Sequence, residues 1–158
     1  MNKLNLCCGD DIKEGYVNTD IQKPYDKFVD INDLPLPFDN NTFDKVFFRS
    51  SIMYSTKPHK LIEELHRIMK PNAILIMRST YWNSETAKRD METKINGLTW
   101  SSLNDYDYDI NECGYINRNK KVLFKIKKEL KGILPIKLLC RYIPNLADAI
   151  IFTMIVVK

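Results

Sequence analysis

Three aspartates and one glycine are the residues best placed to do chemistry. Asp10 closes the stretch Cys7-Cys8-Gly9-Asp10, Asp20 ends Tyr16-Val17-Asn18-Thr19-Asp20, and Asp30 stands in Phe28-Val29-Asp30-Ile31. Each follows or ends a segment that reads as a short strand, and Ser50-Ser51 follows a fourth. In an open α/β sheet ligands bind outside the carboxyl ends of the strands, so these four ends are the ones to inspect. Three acids at three successive ends exceed what hydrophobic packing requires. Gly9 lets the backbone approach a ligand closely, and an acid ending the second strand is placed to accept both hydroxyls of a ribose. The plainer alternative is that Asp20 and Asp30 cap loops. Metal chemistry has no matching set: His59 and His66 go with the polar face of a helix, and the cysteines are scattered.

The elements that must position these residues follow from periodicity. Leu4 and Leu6 give a short buried strand ending in a tight turn, Tyr16–Ile21 a second, Phe28–Ile31 a weaker third and Phe43–Arg49 a fourth. Leu61, Ile62, Leu65, Ile68 and Met69 form one apolar stripe at helical spacing, with Pro58 near its start and Lys70-Pro71-Asn72 at its end. Ala73–Met77 is a continuous apolar run, as expected of a strand buried on both faces. Residues 79–115 have no clear period and read as loop plus short helix. Val122–Ile143, basic and apolar with prolines at 135 and 144 breaking it, reads as two short helices; Ile150–Val157 closes the chain as a strand. Strands alternating with an amphipathic helix argue an α/β sheet.

The chain has 158 residues, 44% hydrophobic and 28% charged, which fits one packed domain over residues 1–158. Collagen-like, disulfide-scaffold and wholly disordered readings are excluded by that composition. No run reaches the ~18–20 apolar residues of a membrane span, so no transmembrane segment is expected. The first residues lack the apolar stretch of a secretory signal, and a cytoplasmic location is expected. The net charge of +4 is unevenly spread: residues 117–158 hold ten Lys or Arg against Glu129 and Asp148, leaving the first 116 at −4. A basic end could meet nucleic acid or an anionic surface, or be an ordinary solvated face. Tyr81, Trp82, Trp100, Tyr106, Tyr108 and Tyr115 gather in the stretch without period, as an acceptor pocket or as core.

The runs Leu4–Gly9 and Glu14–Asp20 resemble the opening of class I, Rossmann-like S-adenosylmethionine-dependent methyltransferases, in a branch reading "L-N-L-G-C-G" and then "G-W-x-N-x-D". The likeness continues through Asp30, Leu36–Asp44 and Glu64–Ala73, in the family's order. It implies a Rossmann-like methyltransferase fold: a central, mostly parallel sheet flanked by helices. Only Asp10–Gly15 separate the glycine from the second strand, so the first helix is expected to be shortened or absent.

The resemblance also implies a cofactor, S-adenosylmethionine, with S-adenosylhomocysteine as product. Cys7, Cys8, Gly9 and Asp10 would lie beside its methionine part, and Asp20, with Ile21 next to it, would take the ribose. Asp30 and the backbone of Ile31 would face the adenine, and Ser50 the sulfonium. The expected activity is methyl transfer to a small molecule or sugar. This chain departs from the family in two places that matter for activity. Cys7 stands where the family has its first glycine, and Ser50–Ser55 replaces a segment carrying an acid and two histidines, which leaves no obvious base. These departures support an alternative, a noncatalytic cofactor-binding subunit working with a protein partner. A nucleic-acid methyltransferase using the basic end is a further alternative, not favoured because the "D/N-P-P-Y"-type motif is absent.

Overall fold

A computed structural model of the chain describes residues 1–89, 93–95, 97–99, 102–103, 123–131 and 149–158. Alternation of apolar and polar residues builds most of its strands: β1 (Lys3–Leu6), β2 (Val17–Asp20), β3 (Lys27–Phe28), β4 (Phe43–Arg49), β5 (Met69–Thr80), β6 (Phe124–Lys131) and β7 (Ala149–Val156). Two helices, α1 (Pro58–Ile68) and α2 (Glu85–Arg89), and a 3₁₀ turn at Ile52–Tyr54 complete the described elements. The strands form one sheet in the order β3-β2-β1-β4-β5-β7-β6. Neighbours from β3 to β5 run parallel, and β7 lies antiparallel to both β5 and β6. Among the described residues no helix is long and apolar enough to cross a membrane.

The apolar stripe of α1 buries Leu61, Ile62, Leu65 and Ile68, with Pro58 in the first turn where its missing N–H costs nothing. Phe48, Leu75, Phe152 and Phe124, from β4, β5, β7 and β6, are fully buried. Each such side chain contributes about 1.5–3 kcal/mol relative to exposure. A polar clamp ties α1 to the loop before β4. Glu64 accepts the backbone N–H of Leu36 at 3.0 Å, and Arg67 donates to that carboxylate at 2.7 Å and to the carbonyls of Leu36 and Phe38.

Four expectations are corrected. The basic stretch from Val122 holds no helix at its start but β6. Phe124, Ile126 and Leu130 turn inward while Lys125, Lys127, Glu129 and Lys131 turn outward, a period of two that interleaved lysines disguise as a helical cover. Residues 122 and 132–143 of that expectation lie outside the described residues. The helix stops at Ile68 rather than Asn72. Pro71, without an N–H, and Asn72, at φ +61°, sit inside β5 where its pairing with β4 shifts register. The third strand is only Lys27–Phe28, and Val29 and Ile31 are buried beyond it. Finally, His66 does not stand free on a polar face. Its Nε2–H donates to the Val157 carbonyl at 2.9 Å and its ring meets Phe124 edge-on, so it docks α1 onto the sheet.

β1 and β2 pair in parallel without a crossover helix, through residues 7–16 alone. Two buried asparagines facing each other across the strands make this work. Asn5 donates to the carbonyl of Asp11 at 2.7 Å and to the Asn18 amide oxygen at 2.9 Å. Asn18 in turn accepts the N–H of Lys13 and donates to the carbonyls of Lys13 and Tyr16. The connector's backbone groups, which a helix would have satisfied internally, are satisfied by side chains of the strands beneath it.

Candidate functional site

Strand order reverses between β1 and β4, and the carboxyl ends of these strands, with β2, open onto one cleft of about 410 Å³. Its walls are residues 7–11, Asp20 and residues 49–51. Three residues here have left-handed backbone: Cys7 at φ +54°, Gly9 at +51° and Ser50 at +55°. For Cys7 and Ser50, at the ends of neighbouring strands, this conformation costs roughly 1–2 kcal/mol each. Such strain persists where surrounding bonds over-determine the backbone. The Cys8 N–H continues the ladder onto Thr19, and the Ser50 N–H donates to the Arg78 carbonyl at 2.7 Å.

Asp20 ties the loop after β1 to the end of β2. One carboxylate oxygen accepts the Gly9 N–H at 2.8 Å, and the other accepts Ile21 at 2.7 Å and Gln22 at 3.1 Å. Asp20 thus does cap a loop, and it also faces the cleft. Asp30 accepts the Asn32 N–H at 2.8 Å and stands behind the cleft wall, close enough for its charge to act on Cys7. Ile21 is 54% exposed beside Asp20, whereas Ile31 is buried in the core. The structure therefore brings together six of the nine expected residues, Cys7, Cys8, Gly9, Asp10, Asp20 and Ser50, and keeps Ile21, Asp30 and Ile31 off the cleft wall.

Sequence reasoning misses Asp11 and Arg49. Asp11 is gripped by Lys13 at 3.0 Å and touched by Arg49 at 3.3 Å. The Lys13 hydrogen bonds, and then Arg49, hold its carboxyl below the usual carboxylate range. Arg49 is the last residue of β4, so the same strand-end rule that singles out Ser50 would have found it. Burial pushes the Cys7 thiol up to about 12, with the charge of Asp20 adding to the effect and a hydrogen bond from Ser51 opposing it. Cys8 is also raised by burial. Neither thiol is a thiolate at neutral pH. Of the aromatic group, Tyr81 is core and Trp82 is exposed, while Trp100, Tyr106, Tyr108 and Tyr115 lie outside the described residues.

A family profile described as a methyltransferase domain matches residues 7–77, the span that holds every wall of the cleft. No curated protein sequence matches the chain. A solved S-adenosylmethionine-dependent methyltransferase of Archaeoglobus fulgidus superposes with a TM-score of 0.67 at 13% identity, covering 97% of this chain and 85% of that one. One from Thermotoga maritima gives 0.62 at 12% identity, covering 99% and 82%. A complex between the Haloferax volcanii Trm112 methyltransferase activator and a candidate methyltransferase gives 0.61 at 17%, again covering 99% and 82%. Residues 7–77 thus match a methyltransferase domain, and over nearly its whole length the chain has the Rossmann-like fold of S-adenosylmethionine-dependent methyltransferases.

Proposed function

We propose that the chain binds S-adenosylmethionine across the ends of β1, β2 and β4 and transfers its methyl group to a small molecule or sugar. The observation that carries this reading is the Gly9 N–H bond to Asp20, which joins the turn after the first strand to the acid ending the second, at the point where strand order reverses. The cleft suits the group. Its volume of about 410 Å³ falls within the ~300–1,000 Å³ of small-molecule sites. A Cβ at Gly9 would meet no atom, so ligand can approach that backbone. Asp20 accepts three N–H bonds where a carboxylate offers about four acceptor positions. That leaves room for one ribose hydroxyl, and a second would take the place of the 3.1 Å bond from Gln22.

When bound, the cofactor supplies a methyl group on a positively charged sulfur, already activated for displacement. The chain's own contribution is orientation and field. Cys7–Asp10 would line the methionine part, Ser50 would stand beside the sulfonium, and exposed Ile21 would flank the ribose; Asp30 and the backbone of Ile31 would define the adenine end. Asp10 and Asp20 make the mouth negative, which favours a cationic ligand and repels a phosphate backbone. Half-buried Cys7 stays protonated and takes no proton from an acceptor. An amine with a free lone pair needs no base here, whereas a thiol or a sugar hydroxyl would have to pass its proton to Asp10, since the acceptor positions of Asp20 are taken.

A second reading, a cofactor-binding subunit that acts through a protein partner, is favoured by the segment after β4. There Ile52 and Met53 are buried and no base is offered. The Haloferax fold relative seen with an activator is in line with it. Calorimetry with S-adenosylhomocysteine, followed by transfer of a labelled methyl group to panels of amines, thiols and sugars, tests both. Binding with transfer supports the enzyme. Binding without transfer to any acceptor moves the case to the partner-dependent subunit, and no binding removes both.

A further inference from the structure

We infer that Arg49 selects the amino-acid end of the cofactor, exchanging its contact with Asp11 for the ligand's carboxylate; this rests on the cofactor reading above. Of the described residues lining the cleft, three are carboxylates and Arg49 is the one cation. An amino-acid head brings a carboxylate into a negative cleft, and only the guanidinium offers it a counter-charge with paired donors.

The present partner of Arg49 is easily given up. The contact to Asp11 is a single one at 3.3 Å between side chains 47% and 36% exposed. Pairs so exposed are worth little in water. Asp11 is not stranded when Arg49 leaves, because Lys13 holds both of its oxygens, at 3.1 and 3.0 Å. Arg49 needs a counter-charge whichever carboxylate supplies it, because its register partner on β5 is Arg78, a like charge on the neighbouring strand. A ligand carboxylate would take over that role from Asp11, and Asp10, also on the cleft wall, would face the ligand's ammonium group. The corner is matched to a zwitterion.

The test compares S-adenosylhomocysteine with 5′-methylthioadenosine, which has the same nucleoside and thioether but no amino-acid head. Calorimetry should show the wild-type chain preferring S-adenosylhomocysteine. Arg49→Gln, an exposed substitution whose folding is checked by circular dichroism, should weaken S-adenosylhomocysteine about ten- to a hundred-fold and leave 5′-methylthioadenosine unchanged. Wild-type binding of both with the same ratio in Arg49→Gln overturns this inference and leaves the cofactor reading standing. Wild-type binding of neither removes the cofactor reading, and this inference with it.

Discussion

The two sides of the sheet are built on different principles. On the side of β3, β2 and β1, strands of two to four residues are held by side chains: Asn5 and Asn18 under the connector, Asp20 across two strand ends, and left-handed Cys7 at the end of β1. On the side of β5, β7 and β6, strands of eight to twelve residues pair along their length and alternate buried and outward residues. The first side holds the candidate site and the second carries the fold. Strain and polar burial are tolerated where loops must converge on a ligand because long apolar ladders beside them supply the cohesion.

The largest expected effect lies in the ladder half. Phe152→Ala, at a fully buried position of β7, should cost about 3–5 kcal/mol in denaturant unfolding. A loss under ~1 kcal/mol would break the assignment of stability to that side. Next is the clamp that joins α1 to the loop before β4. Glu64→Ala strands Arg67 and the Leu36 N–H and should cost about 2–3 kcal/mol at neutral pH. Hydrogen bonds from Arg67 hold the Glu64 carboxyl below its ordinary 4.5, so its contribution is complete above that pH and is lost as pH falls through the lowered value. The gap between wild type and variant should therefore close in acid, which a pH series of unfolding midpoints checks.

In the binding half the same measurements should barely move while affinity does. Asp20→Ala should weaken S-adenosylhomocysteine by about 1.5–3 kcal/mol, because a charged acceptor is lost. Its exposed N–H partners turn to water and the fold stays intact. Unchanged affinity in calorimetry would take Asp20 out of the site. Cys7→Gly relieves a left-handed residue at the loss of a small side chain, a stability change within about 1 kcal/mol. Affinity should hold or improve, and a large drop would make the thiol a positive part of the site. Smallest of all, Lys125→Glu with Lys127→Glu, on the outward face of β6, should alter stability by less than ~0.5 kcal/mol. Tight RNA binding at physiological salt that this double change abolishes would instead assign the basic end a nucleic-acid partner.

Legibility in the sequence divides along the same line. β4 was readable to the residue because its aromatic and β-branched run is bounded by the Asx-rich loop before Phe43 and by Ser50-Ser51 after Arg49, and α1 because its stripe and Pro58 agree. β6 was not, since lysines at successive outward positions look like a helix's wet side until the strand partner is known. Parallel pairing of β1 with β2 was not derivable from physics of the sequence either; the asparagines that replace the helix are visible as letters, but their partners are backbone groups set only by the fold. At the site, strand-end acids and Gly9 were legible because backbone direction alone places them. Arg49 stands at such an end too, but its contact with Asp11, 38 positions away, was not legible, because it depends on how the end of β4 meets the loop after β1.

The half-buried thiol of Cys7 bears on chemoselectivity. A methyl sulfonium is an alkylating agent, and the strongest nucleophile a protein can offer it is a thiolate. With its acidity pushed to about 12, Cys7 is ionised in only about one molecule in a hundred thousand at pH 7. Under the proposed reading, a thiol on the wall of the cofactor cleft is thereby kept from self-alkylation, and reagents such as iodoacetamide should pass it over as well.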